Sequence, residues 1–438
     1  MTSRGNVNDD GLPITHTRQH VQQDPTWMGP WYENVAVPSI SSPARSNSNL
    51  SPNLVLNSQG SAATAGQTLT VTAPAPVHFD ASGTTSTAHA GEAAFVNIGC
   101  RMDFDDGVGE FYTHPATMSQ ALRKKNEWLG HGMSGHVYWN AGTYNPRLRV
   151  RDGATPTPNE ATLANPPTIV VQDPDVVYSG TNTVCITPAP TFTGAPAGAL
   201  VLTGQSSWPA IEDNKRYLLQ SGENYTSFGT LLTGGANNVQ IGKVGVLADP
   251  VLAQLTFGHD RADHYAGSWG SNVITYDLDV QRVFYKNCLQ GFFFLRGRTR
   301  EGIATAQDDF AYNTQAAMNQ SAYDNFTHWM HNGMIGTQVV ASRSSDNAVM
   351  IGRVGYGWML IDCEVPAPSN PASGGIHTLR YASTLKNVIQ HNSIEGCHGG
   401  AALRMNSMGL DPWSLALADS LEPYAQYNSV ERNTFNSN

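Results

Sequence analysis

The sequence predicts a mainly β protein in three parts: an extended N-terminal arm, a block of sheet with one buried face, and a longer body of stacked strands. Three observations carry that prediction. Charged residues make up only 14% of the 438-residue chain while Gly (42) and Pro (25) are frequent, a mixture that suits tight turns between strands better than long surface helices. Apolar and polar residues alternate with period two in segments such as "RLRVRDG" (147–153). An Asn–aliphatic–Asn element recurs towards the C-terminus. The length itself allows two or three domains and at least one large core.

The arm is assigned to residues 1–67. Its Ser/Asn/Pro-rich run "SISSPARSNSNLSPN" (39–53) holds too little apolar area to offset the entropy of ordering it, so the chain up to about residue 70 is expected to be irregular. One stretch departs from that texture. "PTWMGPWYENV" (25–35) gathers Trp27, Met28, Trp31 and Tyr32. It either folds back onto its own protein or serves as a docking anchor, because clustered aromatics need something to bury them.

Residues 68–175 form the second part. "TLTVTAPAPVHFDAS" (68–82) reads as strand, proline-broken turn and strand, and "EAAFVNIGCRMDFDD" (92–106) as a further strand. In "GTYNPRLRVRDG" (142–153), Leu148 and Val150 fall on one face and Arg147, Arg149 and Arg151 on the other; "ANPPTIVVQDPDVVYSG" (164–180) closes the block. Within it stand Met102-Asp103-Phe104-Asp105-Asp106-Gly107, His136-Val137-Tyr138, Gly142-Thr143-Tyr144 and Leu148-Arg149-Val150-Arg151-Asp152. These segments resemble the hallmarks of PKD-type immunoglobulin-like domains, with Met102 in place of the usual tryptophan and Asp105 in place of the first glycine. The resemblance implies a β-sandwich that spaces, stiffens or adheres and carries no chemistry. The aspartates are expected to fold back onto nearby backbone N–H groups, with Gly107 and Gly142 permitting the turn angles. Ca²⁺ at Asp103, Asp105 and Asp106 is the alternative, although the loop lacks the alternating ligand order of a dedicated site.

The body spans 176–438, with 176–270 less regular. "RYLLQSGENYT" (216–226), "SNVITYDLDVQRVFYKNCLQGFFFLRG" (271–297, with a strand expected around Val273–Leu278) and "NAVMIGRVGYGWMLIDCEV" (347–365) each read as strand, corner and strand. Asn387-Val388-Ile389-Gln390-His391-Asn392-Ser393-Ile394 returns as Asn428-Ser429-Val430-Glu431-Arg432-Asn433-Thr434-Phe435, 41 residues later. The pattern resembles a right-handed parallel β-helix, in which aliphatics point inward and asparagines stack at bends with left-handed angles. A spacing of 41 exceeds one minimal rung, so a further rung or an insertion such as "GLDPWSLALADSLEPYA" (409–425) is expected between the copies. A jelly roll is the rival fold. No cap follows "NTFNSN", so either the natural chain is expected to continue or another subunit to cover the end.

Several function classes are disfavoured. A net charge of −10 and the lack of a basic stripe speak against a nucleic-acid partner. The five cysteines (Cys100, Cys185, Cys288, Cys363, Cys397) have no zinc spacing, and most are expected to be buried as small apolar residues. No run of about 18 apolar residues predicts a membrane span, and the N-terminus lacks the order of a secretory signal. The densest polar-aromatic cluster is "FGHDRADHYAGSWG" (257–270). There Asp260, Asp263 and His264 are the candidate catalytic acids and bases, and Arg261, Tyr265 and Trp269 the candidate binding residues. Asp277 with Asp279, and Asp362 with Glu364, repeat an every-second acid pattern that more often marks a solvent face. His391, Glu395 and His398 have a spacing that suits neither a helix nor a single strand, so no metal is assigned. A β-helix with a PKD-like module implies a protein working outside a cell. The main expectation is a phage tailspike- or fibre-like virion protein, trimeric, anchored by its arm to other virion proteins and presenting the β-helix to host-surface polysaccharide. The alternative is a secreted polysaccharide lyase or glycoside hydrolase with a PKD-like accessory domain, and a structural surface protein without a glycan ligand is the third.

Overall fold

The computed structural model describes residues 46–107, 127–152, 159–257, 271–285, 290–300, 303–305, 331–340, 349–350, 355–365, 378–382, 384–395, 403–406, 428–431 and 433–436. The first part is a sandwich of small sheets. One pairs Ser61–Ala63, Val55–Ser58, Ala75–Asp80 and Met133–Tyr138 antiparallel; a second pairs Glu160–Thr162, Arg147–Asp152, Ile98–Asp103 and Glu127–Gly130 in the same sense. A third is mixed, with Thr168–Gln172 antiparallel to Gly142–Tyr144 and parallel to Thr68–Thr72. Leu56, Phe79, Met102, Tyr138, Leu148 and Val150 meet in the core between them.

Three expectations change here. Residues 50–63, read as irregular, hold three strands, because Leu50, Leu54, Leu56 and Ala63 have a core to enter. The segment read as one strand from residue 92 begins as a helix, Gly91–Asn97, before the strand Ile98–Asp103. Glu92, Ala93 and Ala94 are good helix formers, and the turn delivers Phe95 and Val96 to a separate apolar cluster outside the sandwich core. Arg149, assigned to the exposed face, is buried and sits in cross-strand register with Arg101.

The body is built from parallel strands, not jelly-roll pairs. Ten strands form one sheet, in order Leu200–Leu202, Thr183–Ile186, Arg216–Gln220, Asn237–Val244, Ser271–Tyr276, Gln290–Leu295, Gly333–Ile335, Met359–Ile361, Val388–Gln390 and Ser429–Glu431. Every described pairing along it is parallel. Twelve shorter strands form a second parallel sheet. Successive visits to the two sheets stack as rungs, the arrangement of a parallel solenoid, with Val280, Val283, Phe292, Phe294, Leu360 and Ile389 in its core. The stack starts before "RYLLQ", since Thr183–Ile186 already pairs with Arg216–Gln220. Leu278 lies beyond the strand Ser271–Tyr276, buried at a corner.

Left-handed residues line both edges of the ten-strand sheet. Asn214, Asn238, Asn272, Gly291, His331, Gly357 and Lys386 enter the strands at φ between 50° and 72°, and Asp277, Arg296, Gly336, Asp362 and His391 leave them with similar angles. The asparagine expectation holds at the first three and changes at the repeat. There the bend residues are Lys386 and His391, and Asn387 and Asn392, one position on, point inward and are buried. Each inward Asn Oδ1 accepts a backbone N–H from the previous rung: Asn332 from Phe292, Asn387 from Trp358, Asn392 from Cys363, Asn428 from Asn387 and Asn433 from Asn392, at 2.8–3.0 Å. The two copies of the repeat are adjacent rungs, because Val388–Gln390 pairs with Ser429–Glu431 and Ser393–Glu395 with Thr434–Asn436. Leu403–Asn406, in the chain between them, stacks on Leu379–Ala382 as part of the coil, so no extra rung separates the copies; the expected insertion 409–425 lies outside the described residues.

The sandwich lies directly on the ten-strand sheet. Phe95, Val96, Met133 and Val137 pack against Ile274, Phe293, Leu295, Ile335, Met359, Ile361 and Val388 in one continuous cluster. At the centre, Gly135 permits the approach: a Cβ there would sit 2.5 Å from both Met359 Sδ and Ile361 Cδ1. The ten-strand sheet is thus covered on both faces over these rungs.

Candidate functional site

Asp260, Arg261, Asp263, His264, Tyr265 and Trp269 lie outside the described residues, as do Trp27, Met28, Trp31, Tyr32 and His398. The segment carrying the first six is bracketed by firmly packed ends. Phe257 is buried and meets Phe292 edge-on at 5.5 Å, and Ser271 donates both N–H and Oγ–H to Asn237 Oδ1.

The three turn aspartates are engaged structurally. Asp103 Oδ1 accepts the N–H of Asp105, which stands at φ 58° where the PKD pattern has glycine. Asp105 Oδ2 accepts the N–H of Asn145 at 2.9 Å, and Asp106 Oδ2 lies 2.8 Å from His136 Nε2, whose ring stacks on Phe104. Tyr138 Oη completes the strap by donating to the Phe104 carbonyl. Gly107 has the left-handed angle expected of it, whereas Gly142 does not and packs under the Tyr144 ring instead. Among the described residues no group of three His, Cys, Asp or Glu side chains is placed to hold a metal ion. Cys100, Cys185 and Cys363 are free and buried; burial pushes the Cys100 and Cys363 thiols up to about 12.

The acid pairs of the body are not a bare solvent face. Asp277 occupies a left-handed corner and is gripped by Arg296 of the next rung, Nε to Oδ1 at 2.5 Å and Nη2 to Oδ2 at 2.7 Å. The Arg296 guanidinium in turn lies 4.1 Å from the ring centre of Trp139 on the sandwich. Asp279 is held by Arg300 at 2.9 and 2.7 Å and approached by Arg298 at 3.6 Å. Both carboxylates are thus committed to guanidinium groups of the neighbouring rung. Asp362 is buried three corners beyond Asp277, and Glu364 Oε2 accepts from Gln338 Nε2 at 3.2 Å. His391 meets Trp128 edge-on, so it belongs to the seam with the sandwich.

A surface that the sequence pattern did not single out emerges from these pairings. Asp279, Arg298, Gln338, Glu364, Ser393 and Thr434 stand in direct register on successive rungs of the twelve-strand sheet. Their neighbours Val280, Val339, Val365 and Ile394 point into the core, so Arg298, Gln338, Glu364 and Ser393, all part-exposed, face outward from a buried Asp279, one residue per rung at the roughly 4.8 Å spacing of a sheet. The result is a ladder of polar side chains, donors and acceptors both, across successive rungs. Its signal in the sequence was the repeated polar–Val/Ile dyad in "DV", "QV", "EV" and "SI".

Titratable groups that span the two parts were also missed. Asp80 pairs with Lys386 Nζ at 2.7 Å, and His78 Nε2 donates to the Lys386 carbonyl at 3.0 Å. The His78 ring lies 5.3 Å from that of His331. Burial lowers His78 and pushes His331 down to about 3. Burial opposes ionisation of Asp80, yet Lys386 and His78 outweigh it and hold the carboxyl low. On the opposite edge, His131 donates to Glu431 through its N–H at 3.1 Å and Nδ1 at 2.7 Å, and Ser429 Oγ adds a bond of 2.9 Å. Burial would raise Glu431; His131 reverses the shift and lowers it.

Among the described residues no helix is long and apolar enough to cross a membrane. No family model, no curated protein and no solved structure matches the chain.

Proposed function

We propose that the protein binds long carbohydrate chains outside the cell along the twelve-strand face of a right-handed β-helix, with a PKD-type immunoglobulin-like domain clamped to the other large sheet. The observation that carries this reading is the polar ladder that starts at Asp279 and runs outward through Arg298, Gln338 and Glu364 to Ser393. A row of donors and acceptors at a fixed repeat matches a hydroxyl-rich polymer lying along the stack, whereas the apolar outer face of the ten-strand sheet is already occupied. In its catalytic form this is a secreted lyase or hydrolase, with Asp260, Asp263 and His264 as acid and base and Arg261, Tyr265 and Trp269 as sugar contacts. The segment's origin at the end of the strand Val251–Phe257, where a rung passes between the two sheets, supports that assignment.

Affinity electrophoresis against acidic and neutral polysaccharides tests the binding. Retardation that Gln338→Ala and Glu364→Ala abolish together supports the ladder, and retardation unchanged in that pair removes it. Release of unsaturated or reducing ends, lost in Asp260→Ala and Asp263→Ala, establishes cleavage; no release by the intact protein removes the catalytic form. A virion fibre, trimeric and anchored through Trp27, Met28, Trp31 and Tyr32, is the second reading, favoured by that aromatic cluster in a Ser/Asn/Pro-rich arm. Electron microscopy of assembled particles decides it by finding or not finding the arm against another chain.

A further inference from the structure

Between them the sandwich and the solenoid bury two polar clusters and one apolar seam. The seam runs along the middle of the ten-strand sheet, and the clusters pin its two edges. At the entry edge the titratable and charged groups are His78 and Asp80 on the sandwich strand and His331 and Lys386 on stacked corners of the solenoid. At the exit edge they are His131 on the sandwich and Glu431 and His391 on the solenoid, with His391 against Trp128. Both acid–base clusters span the seam, so their ionisation reports on docking.

We propose that the sandwich is an acid-released cover: protonation of the edge clusters frees it from the ten-strand sheet and bares the seam. The His78 Nε2–H is committed to the Lys386 carbonyl, and the neutral ring leaves Nδ1 as a buried lone pair without a hydrogen-bond partner. Adding a proton there places a cation between His331 and Lys386 with Asp80 as the sole carboxylate among those four. The sign is the same for every shifted group. His78 and His331 are depressed when docked, so docking is favoured above the ordinary histidine pKa near 6.5 and weakens as pH falls below it. Asp80 and Glu431 are also depressed, so their contribution is present above the ordinary carboxylate range and disappears as pH falls through their docked values. A histidine held near 3 when docked and near 6.5 when free shifts the equilibrium towards release by roughly 100-fold at about pH 4.5.

The test uses the full chain in small-angle scattering, with far-UV circular dichroism and an apolar dye, titrated from about pH 7.5 to about pH 4.5. The expected result is a rise in radius of gyration and dye binding while the β signal persists, with the midpoint displaced to lower pH in the His78→Gln, His331→Asn double variant. Asn suits the left-handed angle at residue 331. An invariant radius, a loss of β signal in step with the radius, or an unmoved midpoint in the double variant overturns the proposal. Should the double variant not fold, histidine C2–H exchange on the unaltered protein decides the matter. Both rings titrating at the ordinary value would overturn the cover, and both titrating well below it would uphold it.

Discussion

The two large sheets of the solenoid share strand direction, rung spacing and one core, yet they meet different surroundings. The ten-strand sheet carries apolar residues on both faces over the docked rungs: Phe292 and Phe294 enter the solenoid core while Phe293 enters the seam with the sandwich. The twelve-strand sheet is apolar on one face only, with Val280, Val339, Val365 and Ile394 inward and the ladder outward. Sequence texture follows the surroundings. "FFFL", "WMLI" and "NVIQ" are near-continuous, as expected of parallel strands buried on both sides, whereas "DV", "QV" and "EV" alternate. The difference separates a sheet buried on both faces from one whose outer face carries polar side chains, the face proposed for the ligand.

The sharpest way to break that contrast is Phe293→Ala beside Phe294→Ala. Both side chains are essentially fully buried, so each is expected to cost about 3–5 kcal/mol in urea unfolding despite pointing in opposite directions. An effect below about 1 kcal/mol for Phe293→Ala would show that the seam contributes little, and that the outer face is solvent-like in practice.

A smaller effect probes the device that holds the rungs in register. Asn387 Oδ1 accepts the Trp358 N–H at 3.0 Å, and its own N–H and Nδ2 both donate to Asn428 Oδ1. Asn387→Ala leaves a buried N–H and a buried carbonyl oxygen short of partners and is expected to cost about 1–3 kcal/mol, read from the same denaturation curves. Equal stability of Asn387→Ala and the parent would mean that water replaces the ladder.

Much of this architecture was legible because it is periodic. Alternation in 68–82 and 147–153 reported the sandwich strands, and the Asn repeat reported stacking. What stayed hidden depends on partners distant in sequence. Nothing local to Met133, Gly135 and Val137 says that they meet Met359 and Ile361. Corners at Arg296, His331, Lys386 and His391 carry none of the Gly or Asn that usually marks a left-handed angle. Asp277 and Asp279 looked like solvent-facing acids because their arginines come from the next rung, 19 and 21 residues on, a distance meaningful only once the rung length is known.

The smallest expected effect sharpens the other side of the comparison. Arg300 clamps Asp279 bidentately, but its side chain is 47% exposed, and exposed ion pairs contribute about 0–1 kcal/mol because water screens them and two side chains must be ordered. Arg300→Gln should therefore leave the unfolding midpoint nearly unchanged, and added salt should erase the remaining difference. Polysaccharide retardation is where the substitution should register, since it loosens Asp279 at the first rung of the ladder. A stability loss as large as that of Asn387→Ala would mean that the open sheet depends on its surface pairs for cohesion, and the contrast between a structural sheet and the sheet proposed for binding would no longer hold.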